Sequence, residues 1–141
     1  MLEKMMVVDD SALIHQMYRL VMNSYKCEII DAMDGREALD ILARDNGIQL
    51  ILLDINMPVM NGVRFMEKAA SLGITHKIPI IIISTEGKEA DTVRGLALGA
   101  RGYLKKPFQP ADLHALIDKV MNGAAVPANW KYVASPASVR F

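Results

Sequence analysis

Two apolar rhythms alternate along the chain. Short β-type runs rich in Val, Ile, Leu and Met fall at residues 4–8, 28–32, 50–53, 80–83 and 103–105, each bounded by polar or turn-forming residues. Between them, apolar positions return at three- and four-residue steps, as at Leu13, Met17, Leu20 and Val21, and again at Ala38, Leu39, Ile41 and Leu42. That spacing lines one face of a helix and predicts a stripe buried against a sheet. Five strand–helix alternations of this kind predict an α/β fold with a doubly wound, five-stranded parallel sheet and five helices. The low polarity of most of the strand runs fits burial on both faces.

The punctuation agrees with the rhythm. Ser11 follows an acidic pair, Asp34-Gly35 precedes the second helix, Asn61-Gly62 the third, and Pro110-Ala111-Asp112 opens the last. Short polar side chains can accept from the free amides of a first helical turn, and proline is pre-shaped for its first position. Gly47, Gly73, Gly99 and Gly123 mark the stops. After Gly123 the alternation ceases, so residues 1–122 are expected to form one domain and 123–141 an extension or linker. Its Trp130 and Tyr132 are expected to pack on the domain or on a neighbour.

Composition narrows the function classes. At 141 residues the chain has room for one domain with a real core, and 52% hydrophobic with 23% charged residues argues against disorder. A formal net charge of zero and no local basic patch predict no nucleic-acid partner. No apolar run approaches the roughly 20 residues needed to span a bilayer. With no basic, apolar leader at the start, membrane insertion is not expected and a cytoplasmic location is. The single Cys27 cannot close an internal disulfide and reads as a buried thiol. The ten Met residues read as core filler.

Chemistry gathers where the apolar runs stop. Asp9-Asp10, Asp54-Ile55-Asn56, Ser84-Thr85-Glu86 and Lys105-Lys106-Pro107-Phe108 follow four of the five strands. In parallel sheets the carboxyl ends of the strands are where ligands bind. Three carboxylates brought together there raise one another's pKa, so either a divalent metal or Lys106 must neutralise them. An all-oxygen donor set without His or thiolate favours Mg2+, with Mn2+ as a substitute. A carboxylate can attack phosphorus provided the charge spreading over the transferring group is stabilised.

Four segments carry a family resemblance: Val-Val-Asp-Asp-Ser, Leu-Leu-Asp-Ile-Asn-Met-Pro-Val-Met-Asn-Gly, Ile-Ile-Ile-Ser-Thr and Gly-Tyr-Leu-Lys-Lys-Pro-Phe. In this order, on successive strand ends, they resemble the signature of the two-component response regulator receiver domain, over residues 4 to about 121. The resemblance implies the strand order 2-1-3-4-5 of the chemotaxis receivers, including CheY. It implies Asp54 as phosphoacceptor, and Mg2+ held by Asp9, Asp10, Asp54 and the backbone carbonyl of Asn56. Lys106 resembles the lysine that pairs with the phosphoryl group, Ser84 the hydroxyl that moves to contact it, and Tyr103 the aromatic switch. The Lys106-Pro107 bond resembles the family's usual cis peptide. Asn56 and Glu86, each two residues past a site residue, resemble the lifetime-tuning pair of fast-hydrolysing receivers and imply short-lived phosphorylation.

The implied role is a signalling switch, not an enzyme with a separate substrate. A histidine kinase or histidine phosphotransfer protein would be the donor, docking near Ile14 and Tyr18 on the first helix. A downstream protein target would bind the face made by the fourth helix, fifth strand and fifth helix. The leading version is a stand-alone regulator, as in chemotaxis. The alternatives are a phosphorelay shuttle or phosphate sink, a receiver cut from a longer protein, and a phosphorylation-independent interaction module. A phosphatase of the haloacid-dehalogenase type is disfavoured because the first strand is followed by Asp-Asp-Ser rather than Asp-x-Asp. A flavodoxin-like carrier is disfavoured because that loop lacks a Ser/Thr/Gly run for a flavin phosphate.

Overall fold

The five apolar runs form one parallel sheet in a computed structural model that describes residues 2–57 and 60–123. The strands are β1 (Lys4–Val8), β2 (Glu28–Ala32), β3 (Ile51–Asp54), β4 (Ile80–Ser84) and β5 (Gly102–Lys105), in the order β2-β1-β3-β4-β5. The first two strands have the predicted limits. The others reach one residue further at one end, or are shifted by one, because Asp54, Ser84 and Gly102 pair despite being polar or small. The helices are α1 (Ala12–Val21), α2 (Gly35–Arg44), α3 (Gly62–Ser71), α4 (Ile74–Lys77), α5 (Glu89–Ala97) and α6 (Pro110–Met121). The five expected helices are all present, and the single turn α4 is the addition. It starts at Gly73, whose φ of 76° reverses the chain after α3.

Local chemistry sets the helix starts. The Ser11 side chain accepts from Ile14 N at 3.3 Å, Asp34 from Glu37 N at 2.8 Å, and Asn61 from Arg64 N at 2.9 Å. Asp112 accepts from Gln109 N at 2.8 Å, with Pro110 opening α6. Each of these bonds satisfies a backbone donor at or beside a helix start.

Strand parity divides the core into two layers. Met5, Val7, Leu52, Ile81, Ile83 and Leu104 face α1 and α6, meeting Tyr18, Val21, Leu113 and Leu116. Met6, Val8, Ile51, Leu53, Ile80 and Ile82 face the other way, onto Ala38 of α2 and Phe65, Met66 and Ala69 of α3. Several methionines, among them Met5, Met6, Met22 and Met66, are fully buried fillers. Cys27 lies one residue before β2 and is only half-buried. Among the described residues no helix is long and apolar enough to cross a membrane. The expectation about Trp130 and Tyr132 lies outside the described residues.

α1 is turned partly from its expected face: of the predicted stripe, Val21 is buried and Met17 half-buried, but the two leucines are not. Leu13 and Leu20 are 67% and 77% exposed, while His15, Tyr18 and Val21 are buried. Ile14 is partly buried against the core. The docking patch expected at Ile14 and Tyr18 therefore fails at Tyr18, which is buried, and leaves Ile14 only half-exposed. Tyr18 offers a large ring to bury, and His15 finds polar partners on the inner side, so this face wins over the purely aliphatic one.

Candidate phosphoacceptor site

Register brings the carboxylates together. β1 and β3 pair in parallel with Val8 opposite Leu53, which sets Asp9 beside Asp54 one step later. Asp54 pairs with Ile83, and Ser84 with Lys105, so the polar ends of four strands finish at the same level. Asp9 and Asp54 are only 3% and 8% exposed, whereas Asp10 is exposed. One ligand oxygen from each of Asp9, Asp10 and Asp54 lies within 4.8 Å of the others. The acidic cluster could hold a metal ion, and its all-oxygen donor set suits a hard divalent cation.

Few groups offset the charge. Asp9 Oδ1 accepts from Ser11 N at 2.9 Å and Asp54 Oδ1 from Asn56 N at 3.1 Å. The Lys106 ammonium is 3.8 Å from Asp9 Oδ2, behind a cis Lys106-Pro107 peptide. Burial pushes the Asp54 carboxyl up to about 6, with nearby Asp9 adding to the rise and the Asn56 amide and Lys106 opposing it. Burial also raises Asp9, against the Ser11 amide. Two carboxylates that resist ionisation beside a third make a site that a divalent cation would relieve.

The remaining predicted residues are not all drawn into this cluster. Ser84 is buried, but its hydroxyl sits 2.8 Å from the Thr92 hydroxyl and 3.3 Å from the Thr85 carbonyl, with no hydrogen bond to Asp54. Tyr103 is half-buried against the α3 and α5 side of the sheet. Asn56 and Glu86 are exposed on loops at the rim. Lys105 points away from the cluster and pairs with Glu89 at 3.4 Å.

Sequence reasoning missed two residues. Thr92 of α5 holds Ser84, and its hydroxyl also donates toward the Lys88 carbonyl at 2.9 Å. His15 of α1 reaches the carbonyl oxygen of Asp9 with Nε2 at 2.8 Å. The signal for His15 was a polar residue on the buried face, hidden by the wrong choice of stripe. Thr92 carried no signal beyond a strand-end serine in need of a partner.

The family model of the response regulator receiver domain matches residues 5–118. This chain belongs to the response regulator receiver family. It is 37% identical over 120 residues to the transcriptional regulatory protein CpxR of Escherichia coli (strain K12), covering 85% of this chain and 50% of CpxR. The chain thus spans half the length of that relative. It is 32% identical over 122 residues to a chemotaxis protein CheY homolog of Campylobacter jejuni (strain 81-176), covering 84% of this chain and 92% of the relative. Among solved structures, chemotaxis protein CheY4 of Vibrio cholerae superposes with a TM-score of 0.75 at 34% identity, over 85% of this chain and 99% of CheY4. Receiver domains are signalling switches that work with histidine kinases and downstream targets.

Proposed function

We propose that this receiver accepts a phosphoryl group on Asp54 with Mg2+ at the acidic cluster, and that the modification changes which protein its surface binds. The observation that carries the reading is the convergence of a buried Asp54, two further carboxylates within ligand distance and the Lys106 ammonium at one strand rim. In transfer from a phosphohistidine, an Asp54 carboxylate oxygen forms the new bond to phosphorus as the donor's P–N bond breaks. The imidazole leaves with the electron pair. Asp9, Asp10, Asp54 and the Asn56 carbonyl would hold Mg2+, or Mn2+ in its place, which when bound neutralises charge on the phosphoryl oxygens. Lys106 supplies a second positive charge on the Asp9 side of the rim.

Ser84 and Tyr103 form the switch in this reading. Ser84 rests on Thr92, and a phosphoryl group on Asp54 gives its hydroxyl a stronger, charged acceptor. Tyr103 lies on the same side of the sheet as Ser84 and moves with it, altering the α5-β5-α6 face that meets a downstream target. Because α4 is one extra turn, this is the face expected from the fourth and fifth long helices. Asn56 and Glu86 border the open side of the rim, where an attacking water must enter, and tune the lifetime of the acyl phosphate. The exposed Leu13 and Leu20 of α1 give the histidine kinase or phosphotransfer protein an apolar docking face. The relatives named for chemotaxis support a cytoplasmic regulator of that kind.

Incubation with acetyl phosphate or phosphoramidate, with and without Mg2+, tests the reading by intact mass. A phosphoryl adduct of the wild type that needs Mg2+ and is absent from Asp54→Asn is the expected result, with beryllofluoride as a stable mimic if turnover is fast. Well-folded protein that responds to neither reagent would overturn it in favour of a phosphorylation-independent module.

A further inference from the structure

Beneath the acidic cluster lies a second polar chain with no place in the chemistry above. His15 is 3% exposed, in the middle of α1. Its Nε2 is 2.8 Å from the backbone carbonyl of Asp9, an oxygen that can only accept, so Nε2 carries a hydrogen and donates. Its Nδ1 is 2.8 Å from Asp31 Oδ1 on β2. That approach falls outside hydrogen-bond geometry, so the two buried atoms lie close without a hydrogen bond between them. Asp31 Oδ2 in turn accepts from Arg19 Nη2 at 2.7 Å, and Arg19 Nη1 reaches the His15 carbonyl at 3.4 Å.

Burying an imidazole is costly unless its nitrogens find partners, and among the described residues the one hydrogen-bond partner of this ring is the rim residue Asp9. Asp9 N donates to the Ala32 carbonyl at 3.0 Å, its carbonyl accepts from His15, and its Oδ1 accepts from Ser11 N at 2.9 Å. The carboxylate is thereby fixed from three directions, while Asp10 next to it stays exposed. Outer partners that orient a ligand contribute to metal affinity without touching the metal. Asp31, itself held by Arg19, lies against the opposite side of the ring, 2.8 Å from Nδ1.

We propose that His15 is a positioning residue for the cation site, with Asp31 as its orienter: the pair fixes the backbone of Asp9 so that its carboxylate faces Asp54. This rests on the metal reading above and is separable from it. The substitutions His15→Gln and His15→Asn discriminate, because the amide nitrogen of glutamine falls where Nε2 lies and that of asparagine falls where Nδ1 lies.

The test is Mn2+ binding to the full chain by calorimetry or electron paramagnetic resonance, with folding of each variant checked by circular dichroism. His15→Leu is expected to weaken Mn2+ binding about tenfold. His15→Gln should stay within about twofold of the wild type, His15→Asn should resemble His15→Leu, and Asp31→Asn should fall between them. Should His15→Leu fail to fold, the comparison of His15→Gln with His15→Asn decides. Equal affinity in folded His15→Asn and His15→Gln, or an unchanged affinity in folded His15→Leu, overturns the inference and leaves the metal reading standing. A wild type without saturable Mn2+ binding would overturn both.

Discussion

The two edges of the sheet use the same residue type to opposite ends. At the amino edge, Asp45 follows α2 and meets Lys4 Nζ at 2.9 Å and Gly47 N at 2.8 Å. The Lys4 hydrogen bond, followed by that amide, holds its carboxyl below the ordinary value. Gln49 Oε1 there accepts from the amides of Glu3 and Lys4 at 2.6 and 3.1 Å. At the carboxyl edge, burial outweighs the donors that Asp54 finds, and its carboxyl is pushed up to about 6. The amino edge is neutralised within itself and holds the chain together. The carboxyl edge is left short of positive charge, and that deficit is what the proposed cation binding and phosphoryl chemistry would use.

If the deficit is functional, deleting the nearby ammonium should have the largest effect of any change that leaves Asp54 itself in place. Lys106→Met leaves the cluster without the cation 3.8 Å from Asp9. Phosphorylation by acetyl phosphate in Mg2+ should slow about 100-fold, the usual consequence of losing one charge-stabilising donor. A rate within about twofold of wild type, read by intact mass, would mean the comparison misplaces the role of Lys106.

The rim also depends on a close backbone contact. A Cβ on Gly62 would lie 2.7 Å from Ile55 Cα and 3.1 Å from the Asp54 carbonyl oxygen. Neither atom belongs to a flexible side chain, so the loop after β3 must move. Gly62→Ala should cost about 1–3 kcal/mol of stability in urea denaturation and displace Asp54 relative to Asp9. An unchanged midpoint with unchanged phosphorylation would show that the rim tolerates movement.

The carboxyl edge was the more legible one, because strand ends concentrate polar residues after apolar runs: Asp9, Asp54, Ser84 and Lys106 could be named before any geometry. The caps at Ser11, Asp34 and Asn61 were equally plain. α1 was not. Its sequence offers two apolar stripes, one through Leu13 and Leu20 and one through Ile14, Tyr18 and Val21, and periodicity cannot choose between them. The choice depends on where His15 finds Asp9 and Asp31, contacts made across the fold. Thr92 escaped for the same reason, since its bond to Ser84 joins a helix to a strand end eight residues away. The short turn α4 hinges on the positive φ at Gly73, which the sequence marked only as a stop.

The strain at Asp54 should appear as stability. Its folded pKa near 6 exceeds the ordinary value of 3.8, so the folded state binds the proton more tightly than the unfolded chain. Without metal, this group makes stability fall as pH rises from about 4 to about 6, and the whole penalty is present above that window. Asp54→Asn should therefore stabilise the metal-free protein at pH 7 by about 1–2 kcal/mol and leave it little changed at pH 4. Urea titrations of both proteins at the two pH values measure it, and a destabilised variant at pH 7 would contradict the account of the rim.

The smallest effect belongs to the other edge, and its sign should be reversed. Asp45 titrates below its ordinary 3.8 when folded, so it contributes stability above about pH 4 that is lost as pH falls through its folded value. Asp45→Asn removes the partner of Lys4, and the pair is partly exposed, at 28% and 29% of the two side chains. Solvent screens such a pair, so the thermal midpoint at pH 7 should drop only slightly, by less in high salt than in low. Once the pH has fallen through that folded value, the variant and wild type should converge. Opposite signs at pH 7 for Asp45→Asn and Asp54→Asn, in one buffer series, would separate an aspartate kept for structure from one kept for chemistry. If both variants were stabilised, Asp45 would be no better satisfied than Asp54, and the contrast between the two edges would collapse.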